Sequence, residues 1–81
     1  MTLPEAVAIN YLNQQKQTLH GSVEMDTTEE FTNVVTVNDI QNDYPVYLHS
    51  FRKDGLLYTF VCGDRNDTFA FYSIMSEEGG E

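Results

Sequence analysis

Tryptophan is absent, cysteine occurs once and proline twice, and four basic residues stand against thirteen acidic ones in a chain of 81 residues. Each scarcity excludes something. A lone Cys62 cannot close an internal disulfide, and no Cys/His cluster has metal-ligand spacing. Neither a covalent staple nor a structural metal is therefore expected, and a single thiol suits a reducing cytoplasm. No apolar run is long enough to span a bilayer, and the N-terminus lacks the basic-then-apolar order of a signal peptide. The bases are confined to Lys16, Arg52, Lys53 and Arg65, so residues 17–51 carry six acids and no base. A net charge of −9 repels nucleic acid and anionic membranes and attracts basic protein surfaces. The plain alternative is that this charge serves only solubility.

What is present suits one small domain. Hydrophobic residues make up 41% of the chain, with five Tyr and five Phe, too many for a disordered composition. At this length only about 60% of the unfolded surface can be buried, so the core must be compact. Residues 1–75 read as a single domain and 76–81, SEEGGE, as a frayed acidic tail.

Residues 2–19 read as a helix. Thr2 and Glu5 form a capping box with Pro4 in the first turn, Val7, Ala8, Tyr11 and Leu12 share one face, and Gly21 is the expected stop. Ser22 to Met25 alternates as a short strand, with Ser22 and Glu24 on one face and Val23 and Met25 on the other. A second helix is expected from Thr27, capped with Glu30, acidic at its start through Asp26, Glu29 and Glu30, and apolar at Phe31, Val34 and Val35. Residues 38–43 read as a loop. PVYLHSF, LLYTFVC and TFAFYSI then read as three antiparallel strands joined by turns at RKDG and GDRND. The expected fold is α+β, two helices packed on a small, mainly antiparallel sheet in the order α-β-α-β-β-β.

Nothing in the chain points to catalysis. There is no G-x-S-x-G, no phosphate-cradling glycine loop and no H-E-x-x-H. His20, His49 and Cys62 each fit a structural position, and GDRND is too short for a calcium loop and suits a tight turn. Tyr58, Phe60, Phe69, Phe71 and Tyr72 invite comparison with a base-stacking platform, but the acidic field opposes nucleic acid and favours core and cross-strand packing. The reading is a binding protein, not an enzyme, with no catalytic residue, metal or cofactor.

One resemblance narrows this further. Gly21-Ser22-Val23-Glu24-Met25, the Glu29-Glu30-Phe31 run, the Val34-Val35 pair, YPVYLHSF and FVCGDRNDTFAFYSIM together resemble the small acidic uracil-DNA glycosylase inhibitors of bacteriophages and staphylococci. The likeness covers roughly residues 20–75 at low identity, and the first helix matches in kind only. Three departures stand out: Gly21 occupies a position that is acidic in that family, one residue is inserted before Glu29, and SEEGGE replaces a final strand. Glu24, on the face of Ser22, is the expected substitute for the missing acid.

The resemblance implies a protein inhibitor acting in the cytoplasm of a bacterial host and binding the DNA groove of the glycosylase by mimicking DNA, with no direct nucleic-acid or membrane contact. It implies an edge strand and carboxylates formed by Ser22, Val23, Glu24, Asp26, Glu29 and Glu30. It also implies a pocket built from Met25, Phe31, Val34, Val35, Leu48, Phe60 and Phe71 for the side chain that the enzyme pushes into the base stack. On that footing Phe31→Asp is expected to weaken inhibition. The alternatives are inhibition of another nucleic-acid enzyme, such as a nuclease, restriction enzyme or CRISPR effector, and a plain interaction domain.

Overall fold

The computed structural model describes residues 2–38 and 41–76. Its elements are α1 (Leu3–Gln14), β1 (Gly21–Glu24), α2 (Thr27–Glu30), β2 (Asn33–Asn38), β3 (Asp43–Lys53), β4 (Leu56–Cys62) and β5 (Phe69–Ser76). All five strands form one antiparallel sheet in the order β1-β5-β4-β3-β2. The fold is therefore mostly β, with about half of the described residues in strands, and not two helices on a sheet.

The second helix accounts for that correction. It is a single turn, and Phe31, Val34 and Val35 do not extend it. Val34-Val35-Thr36-Val37 is a run of β-branched residues, stiff at χ1 and favoured on a pleated surface. Its i, i+3, i+4 spacing fits a helix, but so short an apolar run fits a strand equally well. The slot beside β3 decides the matter, because each residue from Asn33 to Asn38 finds a partner from Leu48 to Asp43. The Thr27 cap also differs from expectation. Its hydroxyl is buried and shares its proton between the carbonyls of Arg65 (2.7 Å) and Asp67 (2.8 Å), tying α2 to the β4–β5 turn.

Helix α1 starts as expected, with the Thr2 hydroxyl accepting from the Glu5 amide at 3.4 Å and Pro4 in the first turn. It ends earlier, at Gln14. Lys16 takes a left-handed φ of 57°, while the Gln17 amide reaches the Leu12 carbonyl (2.9 Å) and the Lys16 amide that of Asn13 (3.1 Å). This is a Schellman closure with lysine in the place that usually favours glycine. Gly21, the expected stop, opens β1 instead.

Val7, Ala8 and Leu12 of α1 bury against Val37, Val46 and Val61, with Tyr11, Val35, Tyr44, Leu48 and Phe71 packed around them. Gly63 permits that docking, because a Cβ there would lie 2.2 Å from the Pro4 carbonyl oxygen. Beyond the helix, the buried Ser73 hydroxyl donates to the Gln17 side-chain carbonyl at 2.6 Å. On the opposite face a smaller cluster forms from Phe31, Cys62 and Ala70 with Met25, Tyr47 and Phe60.

The strands expected at PVYLHSF, LLYTFVC and TFAFYSI lie within β3, β4 and β5. Asp54 and Gly55, with φ of 55° and 76°, form the two-residue turn between β3 and β4. In the next turn the Asp64 carboxylate accepts from the Asn66 amide and that of Asp67 from the Phe69 amide. β5 takes in Ser76, and the rest of the tail, 77–81, lies outside the described residues, as do Asp39 and Ile40 of the expected loop. Among the described residues no helix is long and apolar enough to cross a membrane.

Candidate functional site

The sheet has one covered face and one largely open one. The α1 face carries Val35, Val46, Leu48, Val61 and Phe71, whereas the other carries Tyr47, His49, Phe51, Tyr58, Phe60, Tyr72 and Ile74, as the pairing register requires. On that second face the rings form a continuous ladder. Tyr58 stacks on Phe51 (centroids 4.9 Å apart, 8° between planes), Phe51 on Phe60 (5.9 Å), Phe60 on Tyr72 (5.5 Å) and Tyr72 on His20 (6.2 Å). Offset stacks at such spacings are favourable beyond the area they bury. His49 sits among the rings, tilted against Phe31, Phe51 and Phe60.

Segment 25–31 closes one end of this face. Phe31 is fully buried between the α2 turn and the sheet, and Arg65 holds it by donating to the Phe31 carbonyl at 3.0 Å while its guanidinium lies over the Tyr47 ring at 5.5 Å. Glu29 and Glu30 remain exposed on that turn. Glu30 stands 3.7 Å from the His49 ring, so one carboxylate borders the aromatic face directly, and the contact becomes an ion pair when His49 is protonated. Glu24, Met25, Asp26 and Thr68 line a neighbouring depression of about 340 Å³.

β1 is a free edge. The two-residue turn closing β3 and β4 makes Lys53–Leu56 a hydrogen-bonded pair, and alternation across β4 and β5 then directs Gly21 and Val23 toward β5. The Met25 amide, bonded to the Thr68 carbonyl at 2.8 Å, follows the same phase. The N–H and C=O groups of Ser22 and Glu24 therefore point away from the sheet, and both side chains are exposed.

The expected site residues divide accordingly. Ser22 and Glu24 are exposed on the β1 edge, Asp26, Glu29 and Glu30 are exposed on the segment that follows it, and Val23 is half-buried with its side chain on the aromatic side. Of the expected pocket, Met25, Phe31, Phe60 and the half-exposed Val34 share the open face. Val35, Leu48 and Phe71 do not, since they lie across the sheet against α1. Val34 and Val35 separate because adjacent strand residues point to opposite faces, whereas a helix would have kept them together. Gly21 faces Tyr72, with its Cβ position 3.4 Å from that ring, while Glu24 is on the other face. Glu24 therefore cannot replace an acid at position 21 on the same side of the strand.

Phe51, Tyr58, Tyr72 and His49, which line the open face, are not among the expected site residues. Their signal was the alternation of rings at 47, 49 and 51 and at 58 and 60, which puts them on common strand faces. Burial, with the Asp67 carboxylate adding to it, raises the Cys62 thiol from 9.0 to about 11, so it stays protonated and unreactive at neutral pH. Comparisons with family models, curated proteins and solved structures find no match to this chain.

Proposed function

We propose that the chain is a DNA-mimicking inhibitor that occupies the basic groove of a DNA-processing enzyme, with uracil-DNA glycosylase as the target favoured by the sequence resemblance. One observation carries the reading: the exposed carboxylates of Asp26, Glu29 and Glu30 follow directly on the β1 edge, which carries Glu24, and Glu30 borders the open aromatic sheet face. The carboxylates supply charge where a groove expects phosphates, and the outward groups of Ser22 and Glu24 supply hydrogen bonds to its loops. Complementary fields of this kind accelerate encounter, while a desolvated apolar contact sets the lifetime.

The apolar contact belongs to the open face. Phe51, Phe60 and Tyr72, with Met25 at the closed end, offer a surface that can receive an intruding aliphatic side chain, and methionine adapts to its shape. Phe31 is a support for that surface. Being fully buried, it makes Phe31→Asp a test of folding instead of contact.

The decisive experiment titrates the protein against a bacterial glycosylase releasing uracil from single-stranded DNA. Release should fall in proportion to the protein added below equivalence. Glu29→Lys with Glu30→Lys should weaken inhibition at least tenfold, about 1.4 kcal/mol, with an unchanged circular dichroism spectrum. Unslowed release at a several-fold excess of protein would remove the glycosylase as target. Full potency in the double variant would reduce those two carboxylates to helix-start and solubility residues.

A further inference from the structure

The sheet has a second edge, and it differs in kind from the first. β1 is four residues long and carries Glu24, whereas β2 is six residues, Asn33-Val34-Val35-Thr36-Val37-Asn38, without a charge, proline or glycine. In a chain of net charge −9, that is a strand without a charged residue, proline or glycine of its own to guard against pairing. Val34 is 52% exposed, and Asn33, Thr36 and Asn38 are exposed as well.

The register shows which backbone groups are free. Lys53–Leu56 closes the two-residue turn as a hydrogen-bonded pair, so odd-numbered residues of β3 bond to β4 and even-numbered ones to β2. Leu48, Val46 and Tyr44 therefore bond to Asn33, Val35 and Val37. Pro45 obeys the same phase, because its missing N–H falls on the side away from β2. The N–H and C=O groups of Val34, Thr36 and Asn38 are left pointing outward from the sheet.

We propose that this edge pairs antiparallel with β2 of a second copy of the chain, joining two sheets into one of ten strands. The central triplet Val35-Thr36-Val37 reads the same in both directions, so it suits a two-fold axis through Thr36. With that axis through Thr36, Thr36 faces Thr36 of the second copy, and Val34 and Asn38 face each other, so every outward group is bonded. Val35 then lies opposite Val37 on the helix-covered side, and Thr–Thr and paired β-branched contacts of this kind are favourable. An axis through Val35 instead sets Val34 against Thr36, overlaps residues 33–37 and leaves the outward groups of Asn38 unpaired. α1 lies mainly over β3, β4 and β5 and meets β2 through Val35 and Val37, whose side chains point to the covered face and not along the sheet toward the edge.

Because β1 and β2 are at opposite ends of the strand order, the pairing leaves both β1 edges free. They stand at the two ends of the joined sheet, roughly 43 Å apart at a strand spacing of about 4.8 Å. The aromatic faces of both copies remain on one side. The pairing is independent of the groove-binding reading and can fail without it.

Two like-charged copies repel, so association must strengthen as salt shortens the Debye length. Sedimentation of the full chain from micromolar to millimolar concentration should show a monomer–dimer equilibrium that shifts toward dimer at high salt. Val34→Lys should return the protein to monomer, with a melting curve unchanged at concentrations where the unmodified protein is also monomeric, although it lowers the net negative charge and would promote association driven by charge alone. Thr36→Cys should oxidise to a disulfide-linked dimer at least tenfold faster than Ser22→Cys, since a hydrogen-bonded pair about 5.5 Å apart at Cα is within disulfide range. The buried Cys62 stays out of this reaction. A monomer at millimolar concentration and high salt, a Val34→Lys dimer, or equal cross-linking at positions 22 and 36 would each overturn the proposal.

Discussion

Replacing Gly63 by alanine adds one methyl group at the point where β4 passes the first turn of α1. The new Cβ would lie 2.2 Å from the Pro4 carbonyl oxygen and 2.8 Å from its carbonyl carbon and Cα. Ordinary contact begins near 3.4 Å, so chain and helix must separate by about 1.2 Å. The obstacle is backbone, and no side-chain rotation relieves it. The displaced turn sits one helical turn from Val7, which is buried against β4, so the shift loosens packing in the main core. Overpacking of this kind costs about 1–3 kcal/mol. In a domain of this size 2 kcal/mol lowers the melting temperature by roughly 8–16 °C. The sign is diagnostic. Gly63 has no left-handed φ, so chain entropy alone would make alanine stabilising by about 0.4–1 kcal/mol. Urea and thermal unfolding followed by circular dichroism measure the difference. Stability equal to or above that of the unmodified protein would refute the close approach of Gly63 to α1.

Lys16→Gly should stabilise the fold by up to about 1 kcal/mol, because lysine holds a left-handed φ that glycine adopts without steric cost. Urea midpoints before and after substitution test this. For Cys62 the folded pKa exceeds the unfolded one, so the folded state retains the proton longer, and this contribution to stability is intact below pH 9 and is lost as pH rises toward about 11. Thiol-reagent kinetics at pH 8 should accordingly show slow modification that becomes rapid in denaturant. Fast labelling in the native protein would contradict the burial of the thiol.

Much of the local structure was legible from residue types. The Asp54-Gly55 turn could be read directly, because both positions need φ above zero and glycine tolerates that freely. The α1 face Val7, Ala8 and Leu12 followed from helical spacing, and the alternating strands β3 to β5 from a period of two. The end of α1 was not legible, since lysine rarely marks a left-handed closure and the expected stop, Gly21, lay five residues on. Nor was β2. Phe31, Val34 and Val35 satisfy a helical stripe, and only pairing with residues 43–48 turns them into a strand. One of the three expected pocket residues that lie off the open face, Val35, follows from that one element, since the sheet holds Val34 and Val35 apart. The other two, Leu48 and Phe71, concern which face the helix covers.

By itself, then, the sequence determined the charge, the turns, the amphipathic first helix and which residues share a face within each strand. These are local properties, set by side-chain chemistry and by the two backbone periods. The tertiary structure decided which face of the sheet α1 covers, which leaves Phe51, Tyr58, Phe60 and Tyr72 open and hides Leu48 and Phe71. It also decided that β1 and β2 are the edges, and so which backbone groups are free to meet a partner. Neither choice is encoded within any one segment, because each depends on contacts between residues far apart in the chain, such as Gly63 against Pro4 and Val35 against Val46.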